Sequence, residues 1–135
     1  MKRREQALLF LKKATEDEAL LDEVLSSPRV SDEIIGFHCQ QAAEKLLKAF
    51  LSDLGVRFRK THDVRELMDL LEDAGHPLPK SLADIDTLTP YGTLFRYEGI
   101  PSQVTLDRQQ CRSMIHSLRS WVENELKVRG QEPHE

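Results

Sequence analysis

Only two cysteines stand in the 135 residues, Cys39 and Cys111, far apart and in no Cys-x-x-Cys pair. That disfavours a disulfide framework and a thiolate zinc site, and leaves two buried thiols on apolar helix faces as the plain reading. Glycine and proline are scarce at six each, and none of the glycines builds a phosphate-cradling loop; GxSxG and HExxH are absent too. No cofactor is implied. No Glu-x-x-His occurs, so a di-iron bundle site lacks its ligands. Aromatic residues make up 6%. No apolar run nears the ~20 residues of a membrane span. The stretch Ala7 to Leu11 is too short for a signal core and ends at Lys12-Lys13. A reduced, cytoplasmic compartment is therefore expected. Neither sign of charge dominates, the net being −4. A protein that coats a nucleic acid would be basic, although a local basic groove stays open. Period-two alternation is missing as well, which removes the signature of a half-buried sheet.

What is present is helical. The chain is 39% hydrophobic and 31% charged, and its length suits one domain with a sizeable core. Leu8, Leu11, Ala14, Leu21, Val24 and Leu25 predict a first helix from Arg3 to Leu25, broken at Pro28. Ser31 is the expected N-cap of a second helix running to Leu54, with Asp32 and Glu33 in its first turn and Gly55 as its stop. Cys39, Ala42, Ala43, Leu46, Ala49 and Phe50 form its core face. Thr61 or Asp63 caps a third helix, VRELMDLLEDA, and Asp63 with Glu66 resembles a capping box. Residues 81–99 read as short helical pieces interrupted at Pro90 and Gly92. The last helix spans Thr105 to Val128, with Cys111, Met114, Ile115, Leu118, Trp121, Val122 and Leu126 inward. Residues 129–135 are a frayed tail. The expected fold is an all-α, up-and-down bundle of four to five helices with an irregular helical segment before the last.

Four polar groupings are candidates for chemistry. In FHCQQAAEKLLKAFL, residues 37–51, the side chains of His38, Gln41, Lys45 and Lys48 fall within roughly 80° of arc beside the core face. Such a stripe is either a solvated or pairing face, or the wall of a phosphate-binding groove. His62 opens the third helix, where it either helps to cap or has its basicity lowered by the dipole. Tyr91, Arg96 and Tyr97 cluster in LTPYGTLFRYEG. There an Arg either grips phosphate bidentately beside stacking rings or ties an irregular loop through carbonyls. Arg112, His116, Arg119 and Glu123 share one stripe of the last helix, expected to be solvated.

Taken in order, FHCQQAAEKLLKAFL, THDVREL and LTPYGTLFRYEG resemble the HEPN domain family over nearly the whole chain. The resemblance implies an all-helical bundle, commonly homodimeric, often paired with a minimal nucleotidyltransferase in toxin–antitoxin-like systems. Some members bind nucleotides; many others are metal-independent ribonucleases that use an Arg, four to six residues and a His across a dimer cleft. In such a site a His exchanges protons with the ribose hydroxyl while an Arg stabilises charge on the phosphate. Here YEGIPSQ follows Arg96 without a His, and His116 comes twenty residues later. Arg57–His62 and Arg129–His134 have the spacing but lie elsewhere, in a loop and in the tail. The closer likeness is to the branch without the complete motif. A non-catalytic module is therefore expected, its ligand groove formed by His38, Gln41, Lys45, Lys48, His62, Arg96 and Tyr97. The ligand would be a nucleotide, another phosphate-bearing molecule or single-stranded RNA, and Tyr97 is the nearest analogue of a tyrosine that a partner nucleotidylates. Two alternatives stay open: a ribonuclease using His62 or His116 with an Arg such as Arg96, and a helical interaction protein without ligand.

Overall fold

The computed structural model describes residues 2–92 and 106–130. Among the described residues there are four α-helices: α1 (Lys2–Val24), α2 (Asp32–Leu54), α3 (Val64–Asp73) and α4 (Arg108–Gly130). A succession of 3-10 turns, Lys80–Gly92, lies between α3 and α4 in sequence. Among the described residues there is no strand, so the all-α expectation holds. No described helix is long and apolar enough to cross a membrane.

Local chemistry fixes the helix ends. Ser31 is extended (φ −72°, ψ 155°) and accepts from the Ile34 amide, satisfying one of the donors a helix start leaves unpaired. Gly55 adopts the left-handed conformation at φ 75° and sends its N–H back to Leu51 and Ser52, an ending that side chains with a Cβ disfavour. Asp63 caps α3 by accepting from Arg65 and Glu66. The expected reciprocal half of that capping box is not made. The Asp63 amide donates to Thr61 Oγ1 at 3.0 Å, while the Glu66 carboxylate is gripped by Arg59, 2.6 Å from Nη2.

The core centres on α2, which packs against every other element. Its expected core residues, Cys39 to Phe50, are all fully buried. Phe50 lies edge-on to Trp121, ring centroids 5.4 Å apart, and to His76 at 5.1 Å. Full burial of Phe50 or Leu46 contributes roughly 1.5–3 kcal/mol each. Leu8 departs from expectation: it is 52% exposed, and α1 instead turns Ala7, Ala14, Asp17, Glu18 and Leu21 inward.

Arginines set the register. Arg4 at the start of α1 donates to the Leu126 carbonyl near the end of α4 at 3.1 Å. Arg112 reaches Asp22 at 2.7 Å, so α1 and α4 run antiparallel. Arg108 donates to the carbonyls of Leu25, Ser27 and Val30 and to Asp32, locking the α1–α2 turn onto the start of α4. α4 continues to Gly130, beyond the expected end at Val128. Arg129, assigned to the tail by sequence, pairs with buried Asp53 at 3.0 Å.

Candidate ligand-binding edge of α2

The polar stripe of α2 is organised by two buried carboxylates. Asp17, on α1, faces α2 and takes His38 Nδ1 at 2.9 Å and Lys45 Nζ at 2.6 Å. Glu44, on α2 itself, takes Lys48 Nζ at 2.6 Å and His62 Nδ1 at 3.1 Å. Gln40, fully buried, donates from one amide nitrogen to Glu44 at 3.1 Å and to the His62 carbonyl at 2.7 Å. Its oxygen accepts from Gln41 at 2.9 Å. Lys48 also donates to the Thr61 carbonyl at 3.1 Å. The segment before α3 is thereby stitched to the middle of α2.

The resulting edge is charge-compensated but not exhausted. Each imidazole is held through Nδ1, and its Nε2 lies at the opposite edge of the ring. The His62 side chain is 58% exposed and that of His38 24%. An ammonium carries three donors; Lys45 uses one on Asp17 and keeps part of its surface in solvent. The cations are preorganised by neighbours that hold them in place, an arrangement that suits recognition of an anion at low ordering cost.

His38, Gln41, Lys45, Lys48 and His62 are thus brought onto one edge. Arg96 and Tyr97 lie outside the described residues, as does His134. Gly92, the last described residue before the segment that bears Arg96 and Tyr97, rests against Gln40; a Cβ there would stand 3.1 Å from the Gln40 amide. Tyr91 is buried over Gly36, whose missing side chain makes room for the ring, and burial raises its hydroxyl above the ordinary tyrosine value.

The stripe on α4 departs from expectation. Arg112 and Arg119 are not solvated: Arg119 Nε donates to Glu18 at 2.7 Å, and Arg112 meets Asp22 and Glu18. Both therefore tie α4 to α1. The Arg112 hydrogen bond holds the Asp22 carboxyl below its usual range. His116 is exposed on α4, with no hydrogen bond to the α2 edge. Cys39 and Cys111 are buried and unpaired by a disulfide; contact with the Cys111 thiol, then burial, pushes the Cys39 thiol up. Among the described residues no cluster of His, Cys, Asp or Glu can hold a metal ion.

Asp17, Gln40, Glu44 and Glu18 escaped the sequence reading. For Asp17 and Glu18 the signal was an acid on the inward arc of α1, opposite a stripe of cations on a neighbouring helix; Gln40 and Glu44 are polar residues on the inward arc of α2 itself.

The HEPN domain family model matches residues 3–127. The chain belongs to the HEPN family. Comparison with characterised proteins and with solved structures finds no match. The family match covers all four α-helices to within a few residues of their ends, and with them the whole α2 edge.

Proposed function

We propose that this HEPN chain is a non-catalytic binding module whose α2 edge takes a phosphate-bearing ligand, a nucleotide or a short single-stranded RNA. One observation carries the reading: His38 on α2 and His62, in the segment stitched to α2, are each anchored through Nδ1 by a buried carboxylate, and Lys45 shares the Asp17 carboxylate with His38. Ammonium and imidazole donors held in place by second partners suit a phosphate group. Arg96 and Tyr97 belong to the proposed groove on sequence grounds. The experiment is a titration with ATP, GTP and a short RNA in the presence of chelator, following binding and cleavage together. Binding without cleavage, weakened at least tenfold in both Lys45→Gln and His62→Gln, is the expected result. Unchanged affinity in both variants removes the proposal.

The Glu44–His62 pair favours a second reading, metal-independent RNA cleavage, because a carboxylate that orients a largely exposed imidazole is the arrangement of a general acid or base. Cleavage that resists chelator and is lost in His62→Gln selects it. The family also brings a homodimer and a minimal nucleotidyltransferase partner into the proposal. Leu9 and Leu20, 55% and 40% exposed on α1, supply apolar surface for a second copy. Sedimentation of Leu9→Glu against the unmodified chain reads that part directly.

A further inference from the structure

The end of the bundle where α1 begins is cationic in a chain whose net charge is −4. Arg3 lays its guanidinium over Gly55, at the close of α2. Phe10 and Phe58 meet at 6.2 Å between ring centroids, so the first three turns of α1 run beside the loop Val56–Thr61. That loop carries Arg57, Arg59 and Lys60. Some cations at this end serve the fold: Arg4 and Arg129 share Asp53, and Arg59 grips Glu66. Lys2, Arg3, Arg57 and Lys60 are exposed and make no ion pair with a described residue. Lys2 and Arg3 also stand in the first turn of α1, where the helix dipole disfavours positive charge. Arg3 gains the α2 C-terminus in return; Lys2, Arg57 and Lys60 gain nothing within the described fold.

This cationic end joins the α2 edge. Lys48 sits 5.8 Å from the Phe58 ring and bonds the Thr61 carbonyl, one residue before His62. We infer that Lys2, Arg3, Arg57 and Lys60 form a phosphate-backbone track continuous with the α2 edge, so that the ligand of this site is a single-stranded polynucleotide rather than a mononucleotide. The inference rests on the binding reading above. Exposed guanidinium and ammonium groups contact successive phosphates without reading sequence, and each contact releases counterions. A mononucleotide engages only the α2 edge; a longer strand engages both.

The test uses the full chain, ATP and a single-stranded RNA of about a dozen nucleotides, each titrated over a range of salt. The expected result is tighter binding of the strand than of ATP. In Arg57→Gln/Lys60→Gln the slope of log affinity against log salt for the strand should then fall by about 1.4, two contacts at about 0.7 each, with ATP affinity unchanged. Lys2→Gln should lower the slope by about 0.7 and guards against a loop-specific artefact. A strand slope that is the same in all variants overturns the track. So does equal, equally sensitive binding of polyglutamate, which would make the end a docking surface for acidic protein. Loss of ATP binding in Lys45→Gln and His62→Gln reads the α2 edge separately, so failure of the track and failure of the edge give different patterns.

Discussion

Asp17 and Glu44 do most to shape the edge. Glu44, only 5% exposed, is the shared acceptor for Lys48, His62 and Gln40. Removing it leaves the Lys48 ammonium with the Thr61 carbonyl and the buried Gln40 amide with the His62 carbonyl, and neither with an anionic partner. Glu44→Ala should cost about 3 kcal/mol, the lower end for breaking a buried pair from one side, read by denaturant unfolding. Lys13→Ala, which loses only an exposed contact to Glu16, should stay within about 0.5 kcal/mol. Equal effects would contradict the division of labour. Asp22 carries a pH signature. The Arg112 hydrogen bond lowers its folded-state value below the ordinary 3.8. Its stabilising contribution is therefore present above that value and is lost as pH falls through the lower folded one. Thermal melts taken between about pH 5 and pH 2 should show a shallower loss of stability in Asp22→Asn than in the unmodified chain. The carboxylate is 59% exposed, so the difference should be small and should shrink with added salt.

At the scale of elements, the ends and crossings of helices hold the fold. Ser31→Ala removes the side-chain acceptor that caps the Ile34 amide at the start of α2 and should cost about 1 kcal/mol. Arg108 does more, because its guanidinium serves three carbonyls of the α1–α2 turn as well as Asp32. Arg108→Ala should cost about 2 kcal/mol and raise hydrogen exchange at residues 25–31 above that in the helices. Gly36 tests the contact between α2 and the 3-10 segment. Alanine would help an isolated helix by up to about 1 kcal/mol, but here its methyl overlaps the Tyr91 ring. Gly36→Ala should therefore destabilise by about 1–3 kcal/mol, and a gain in stability would show that Tyr91 packs elsewhere.

At the scale of the molecule, the sequence made the bundle legible because apolar spacing and caps are local. Ser31, Gly55 and Asp63 announce their roles within a few residues. The core face of α2 is equally plain. What stayed hidden was long-range: which cation meets which acid. The α4 stripe looked solvated because its acidic partners lie far away in sequence, Asp22 90 residues from Arg112 and Glu18 101 residues from Arg119. The α2 stripe was visible as a pattern, but Asp17 and Glu44, which hold it, carry no local signature beyond sitting on inward arcs. Gly36 has no local sign of its role, because the Tyr91 ring that fills the space above it comes from far along the chain. The central claim is that the α2 edge, preorganised by those two carboxylates, binds a phosphate-bearing ligand. The most direct measurement is calorimetric titration of ATP into the unmodified chain, Lys45→Gln and the exposed control Lys13→Gln, each first shown to be folded by circular dichroism. Saturable binding that survives Lys13→Gln and falls at least tenfold in Lys45→Gln is predicted; the same affinity in all three, or no binding to any of them or to short RNA, would contradict it.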